Sequence, residues 1–183
     1  SSSIKTLSIQ SSIKIVGEFA ECVIEGLSGH PSLTRVKLVH SELGSIACEA
    51  LGKVLKHPKS KLKDFHLQYC RLNDEGIQKM CHELLLGNGT SPLKRLNLMI
   101  NKEITTAGWQ ALSNVIQHPN CKLTTLGLIG NNCILDTNAK LLGRALSGSS
   151  VKALNLSNNY SIENGGWQTV LNQLSQTSIE YLS

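Results

Sequence analysis

Aromatic residues are scarce. Two tryptophans, three tyrosines and two phenylalanines make up 4% of the 183 residues. Any core must therefore be aliphatic. No apolar run approaches the roughly 20 residues that a membrane-crossing helix needs. The first residues, Ser1-Ser2-Ser3-Ile4, have neither the charged region nor the apolar region of a secretory signal. No shift in composition marks a linker, and the length fits one domain, 1–183, with a sizeable core. The net charge of +5 is mildly basic and far from the density of a dedicated nucleic-acid binder.

Catalytic and metal-binding signatures are missing as well. Of six cysteines (Cys22, Cys48, Cys70, Cys81, Cys121 and Cys133) none forms a C-x-x-C pair, and no Cys/His spacing matches a zinc module. Most fall where a small apolar residue is due, so free thiols and a cytoplasmic, intracellular setting are expected. No Ser/His/Asp set or carboxylate pair is present, and Gly87-Asn88-Gly89 precedes a strand instead of opening a phosphate-binding helix. No enzyme activity, catalytic residue, cofactor or metal is therefore assigned. Three N-x-S/T sequons occur, at Asn88, Asn155 and Asn159; only Asn88, in a loop, could take a glycan.

What is present is a repeat. Leu93-Lys94-Arg95-Leu96-Asn97-Leu98-Met99-Ile100-Asn101 places leucines at relative positions 0, +3 and +5 and an asparagine at +8. The frame starts at Ile4, Leu33, Leu62, Leu93, Leu123, Val151 and Ile179, at intervals of 28–31 residues. Six full units result, and a seventh begins. The +3 and +5 residues of all six are apolar, from Leu7 and Ile9 to Leu154 and Leu156, which predicts short strands with one buried face.

The +8 residues (Ser12, Ser41, Cys70, Asn101, Asn131 and Asn159) are small and can hydrogen-bond, as the turn leaving a strand requires. An apolar residue follows at Leu43, Leu72, Ile104, Ile134 or Ile162; the last three come one residue later and predict wider turns. The first unit fits this part poorly. Helix starts are expected at Ser45, Asn73-Asp74, Thr105-Thr106, Asp136-Thr137 and Glu163-Asn164. Helix ends are expected at Gly29-His30-Pro31, His57-Pro58, Gly87-Asn88-Gly89, His118-Pro119 and Gly148. Apolar stripes such as Ala50, Leu51, Val54 and Leu55 mark the buried helix faces. Trp109 and Trp167 read as packing residues at helix starts. His30, His57 and His118 recur in the helix-end loop, where a cation would be favoured.

The pattern L-x-x-L-x-L-x-x-(N/C)-x-L, then (T)-x-x-G, then a helix, resembles leucine-rich repeats of the ribonuclease-inhibitor subtype. The resemblance covers essentially the whole chain. Its departures are Ser12, Ser41, the wider turns and Asn138 where a glycine is expected. It implies an α/β fold: a curved solenoid with a parallel sheet on the concave side and helices on the convex side, stacked because one unit cannot bury its own apolar face.

Strand positions +1, +2, +4, +6 and +7 should point away from the core. They hold Lys5, Arg35, Lys37, Lys63, Lys94, Arg95 and Lys152 against Asp64 and Glu180, so the whole formal charge excess lies on or beside the strands. The lysines at +1 are either a solvated rim or a steering surface for an acidic partner; Arg35, Lys37 and Arg95 reach further onto the face. His40 and His66 also lie on concave strands. At the other edge, Tyr69, Met99, Ile100 and Ile129 are either exposed together as an anchoring patch or turned inward over the +8 ladder. The candidate partner-binding residues are Arg35, Lys37, His40, His66, Tyr69, Arg95, Met99 and Ile100.

The resemblance implies a protein-interaction module with a protein partner, an acidic one if the bases steer, and no small-molecule substrate or membrane. A GTPase-activating protein similar to the Ran activator is the alternative, since it shares the repeat type. Nucleic-acid binding through the basic edge is a weaker one. Neither end shows a polar capping unit, so a fragment of a longer array, or another chain over one end, is expected.

Overall fold

A computed structural model describes residues 4–10, 14–15, 22, 26–27, 30–86 and 91–183. Ser12, Gly29 and Gly87-Asn88-Gly89 lie outside the described residues.

Seven strands form one parallel sheet in chain order: β1 (Thr6–Gln10), β3 (Arg35–Val39), β5 (Asp64–Gln68), β6 (Arg95–Asn97), β7 (Thr125–Gly127), β8 (Ala153–Asn155) and β9 (Tyr181–Leu182). The register pairs residues of equal repeat position: Val36 with Phe65, Phe65 with Leu96, Leu96 with Leu126, Leu126 with Leu154. Rows of like position therefore run across the whole sheet. A second, two-stranded sheet pairs β2 (Lys14–Ile15) with β4 (Glu42–Leu43). Ile15 lies beside Leu43 and is buried, so the first unit does supply the apolar residue after its turn.

Helices α1 (Ser45–Lys56), α2 (Asp74–Leu86), α3 (Thr106–Gln117), α4 (Asp136–Leu146) and α5 (Asn164–Gln173) each pack against the next. Their starts fall where the sequence predicts. The means of capping differs: Thr105 and Glu163, at the N-caps of α3 and α5, make no side-chain cap bond. The preceding unit supplies one instead. The Asp74 carboxylate accepts from the N–H of Thr105 (2.7 Å) and of Gly108 (2.9 Å), and from the Thr105 hydroxyl. Asp136 accepts from the Glu163 N–H at 2.8 Å. A negative group there also opposes the positive end of the helix dipole. Helix α2 has a local cap, from Asn73 Oδ1 to the Gly76 N–H at 3.0 Å.

The core lies between sheet and helices. Phe65, Leu67, Leu98, Leu126, Leu128 and Trp109 are fully buried, at roughly 1.5–3 kcal/mol of transfer free energy each. Trp167 packs partly buried against them.

The +8 ladder is continuous through the last three full units. Asn101 Nδ2 donates to the carbonyls of Leu67 and Leu98, Asn131 Nδ2 to those of Leu98 and Leu128, and Asn159 Nδ2 to those of Leu128 and Leu156. Each amide thus joins two units. The Cys70 thiol makes 3.4 Å contacts to the Leu38 and Gln68 carbonyls, weak as a thiol's are. Burial pushes the thiols of Cys48, Cys70 and Cys81 up to about 12, so these three are inert core residues.

The histidines of the helix-end loops, His30, His57 and His118, share one contact. Each Nδ1 accepts the backbone N–H two residues on, from Ser32 (3.4 Å), Lys59 (3.2 Å) and Asn120 (3.2 Å). In each case the ring nitrogen closes the turn that follows the helix end.

Candidate functional site on the concave face

Strand side chains at +3 and +5 enter the core, which leaves +2 and +4 facing outward. Because the register aligns equal positions, the +2 row reads Thr6, Arg35, Asp64, Arg95, Thr125, Ala153 and Tyr181. An acid therefore sits between two arginines.

Asp64 is the hub of the face. Its Oδ2 accepts from Arg35 Nε and Nη2, both at 2.7 Å, and from Arg95 Nε at 3.0 Å. Its Oδ1 meets His66 Nε2 at 2.7 Å. Only 2% of Asp64 is exposed, although it lies on the outward face. Burial alone would raise its pKa. Hydrogen bonds from Arg35, Arg95 and His66 outweigh that and hold the carboxyl below the ordinary value.

This changes the charge picture. Arg35 and Arg95 are not free steering bases; both are tied to Asp64. Lys152 is paired with Glu180 at 2.6 Å. Lys37 has no ion-pair partner among the described residues and is half-buried beside His66, its register neighbour.

The +7 residues share one backbone state. His40, Tyr69, Ile100, Gly130 and Asn158 all have positive φ, between 48° and 68° counting Arg71 of the same turns. This left-handed turn breaks strict alternation, so +7 lies beyond the strand and projects from its end. His40 and Tyr69 stack with ring centroids 4.6 Å apart and planes at 20°. Ile100 continues the row toward Gly130. Tyr69 is 41% exposed, whereas Met99, Ile100 and Ile129 are half-buried. Val39 at +6 is buried. Both sequence alternatives are thus partly realised: an exposed His40–Tyr69 pair merges into a half-covered aliphatic row. A groove of about 560 Å³ runs along it, rimmed by Lys14, Glu42, Arg71 and Lys102.

Of the eight predicted residues, Arg35, His66 and Arg95 are brought together on Asp64, and His40, Tyr69 and Ile100 on the adjoining edge. Lys37 lies beside the first group, and Met99 is half-buried at the position before Ile100. Sequence reading missed Asp64 as their organiser and missed Tyr181, Gly127 and Ala153 at the outward positions of later units. The shared +2 position of Arg35, Asp64 and Arg95 was the available signal. Among the described residues no cluster of His, Cys, Asp and Glu could hold a metal ion, and no helix is long and apolar enough to cross a membrane.

Comparison with known proteins agrees with this geometry. Residues 59–81 match a family model described as a leucine-rich repeat. The chain is 25% identical over 154 residues to human NACHT, LRR and PYD domains-containing protein 12, covering 78% of this chain and 14% of that protein. It is 29% identical over 133 residues to human NACHT, LRR and PYD domains-containing protein 14, covering 73% of this chain and 12% of that protein. It is 30% identical over 131 residues to the ribonuclease inhibitor of Sus scrofa, covering 70% of this chain and 27% of the inhibitor. The chain thus spans a minor part of each relative's length. Match, repeat period and strand–helix stacking together make it a leucine-rich-repeat protein of the ribonuclease-inhibitor-like type.

Proposed function

We propose that this chain binds a protein partner through its concave face and the adjoining turns, without catalysis of its own. The observation that carries the reading is the Asp64 cluster. Asp64 fixes two half-exposed arginines and a histidine in one orientation at the middle of an outward-facing sheet. Fixed polar groups lose little side-chain entropy on binding, which is what a recognition surface needs. The stacked His40–Tyr69 pair beside it supplies aromatic area of the kind that anchors interfaces. One relative is named as an inhibitor of ribonuclease, itself a protein; the same general role suits this chain.

The partner we favour is acidic. The strands hold the formal charge excess, and Lys5, Lys37, Lys63 and Lys94 have no ion-pair partner among the described residues. An intracellular setting fits the buried thiols of Cys48, Cys70 and Cys81. We also favour a single repeat domain over the whole chain.

The test is an affinity pull-down from native extract with the unchanged chain, Tyr69→Ala and Arg95→Glu. Each variant is expected to lose at least about tenfold of the captured partner, the order expected for an interface hot spot. Recovery of the same partners at the same level by all three contradicts concave-face binding.

A further inference from the structure

The concave face is not uniform. Its first part carries Arg35, Asp64, Arg95, Lys37 and His66, whereas β7 and β8 present Thr125, Gly127 and Ala153. These short side chains leave a depression of about 330 Å³ between Arg95 on one wall and Tyr181, 65% exposed, on the other.

The polar groups around this depression lean toward donors, although the Thr125 hydroxyl and His66 also line it. Arg95 uses Nε on Asp64, which stops the guanidinium from turning away, and its two Nη groups have no acceptor among the described residues. The Asn97 side-chain oxygen accepts the Met99 N–H at 2.9 Å, and the Asn155 oxygen accepts the Ser157 N–H at 2.9 Å. One lone pair of each oxygen is thereby used, and the NH₂ of each amide has no acceptor among the described residues. No carboxylate lines the depression. Arg95, Asn97 and Asn155 thus bring unused donors to the lining, which holds no carboxylate and ends at an exposed aromatic ring.

We propose that this depression is a subsite for a glutamate or aspartate side chain on a loop of a protein partner. Arg95 binds the carboxylate through its free Nη fork, Asn97 and Asn155 donate from the floor, and Tyr181 covers the aliphatic stem. The proposal rests on the concave-face reading above. A guanidinium backed by one carboxylate is preorganised for a second, bidentate acceptor. A nucleic-acid backbone fits less well, because it needs a track of bases and the neighbouring outward positions, Thr125, Gly127 and Ala153, carry none.

The test uses the intact chain and a phage-displayed library of disulfide-constrained heptapeptides. Selected peptides are mapped by amide chemical shifts and measured against Ala153→Leu, Arg95→Gln and Tyr69→Ala. Ala153→Leu matters most, since it fills the depression without touching the Asp64 hydrogen bonds. The expected result is enrichment of Glu or Asp at one position and shifts at Gly127 and Ala153. Affinity should fall at least about tenfold on Glu→Gln in the peptide, on Ala153→Leu and on Arg95→Gln. Peptides that depend on Tyr69 but contain no acid and ignore Ala153→Leu overturn the subsite and leave the concave-face reading standing. Peptides that shift only helix amides overturn both. Displacement of the acidic peptide by a mixed-sequence single-stranded oligonucleotide at physiological salt overturns the choice of a protein loop.

Discussion

Asp64 is almost closed to solvent yet belongs to the outward face of the sheet, because Arg35, His66 and Arg95 lie over it. Replacing it with asparagine keeps the shape and removes the charge that three donors share. Asp64→Asn is expected to cost about 1–3 kcal/mol at neutral pH, the low end for a broken buried pair because both arginines reach solvent. The folded pKa lies below the unfolded one, so the charge-linked stabilisation is fully present above the unfolded value of about 3.9. It disappears as pH falls through the lower folded value. Urea denaturation as a function of pH should therefore show the gap between wild type and Asp64→Asn closing below about pH 4. A gap that stays constant into acid would show that shape, not charge, is what Asp64 provides. Counting charges from sequence could not reveal this, because a count treats Arg35 and Arg95 as free bases.

The elements show how neighbouring units hold one another. The aspartate opening one helix reaches across to cap the next, and a recurring glycine makes room for it. A Cβ on Gly108 would lie 2.6 Å from Asp74 Oδ1, and one on Gly166 would collide with Asp136 Oδ1. The same logic explains the departure at Asn138. The preceding unit has Thr106 where two others have Asp74 and Asp136, so no carboxylate needs the space. Asn138 fills it and donates to the Cys133 carbonyl at 2.9 Å. Gly108→Ala is expected to destabilise by about 1–2 kcal/mol through loss of the cap, even though alanine is the better helix former. In an Asp74→Ser background the same change should cost less but still something, because the Cβ would also lie 2.6 Å from the buried Ile104 Cγ2; chemical denaturation of the four variants measures this. Equal effects in both backgrounds would refute the coupling. The sequence marked every described helix start correctly but assigned the caps to local residues, since a cap lent by the preceding unit leaves no local signature.

For the whole molecule, the solenoid was legible because a period of about 28–31 residues repeats two demands, apolar +3 and +5 and a hydrogen-bonding +8, that stacking alone explains. The Asn101–Asn131–Asn159 ladder and the parallel register follow from that period. The left-handed +7 row did not, because strict strand alternation is the wrong rule one residue past the strand. Nor did the pairing of β2 with β4, since two residues carry no period. The depression beside Arg95 is read from small residues at outward positions, which a search for large or charged side chains passes over.

The central claim is that recognition belongs to the concave face. It is tested most directly by placing a photo-crosslinking p-benzoylphenylalanine at Lys37, on the sheet face, or at Gln110, exposed on the opposite side in α3. Each chain is irradiated in native extract, and the attached proteins are identified by mass spectrometry. The account predicts a defined protein adduct from position 37 that is missing from position 110. An adduct with the same protein from position 110, and none from position 37, contradicts it.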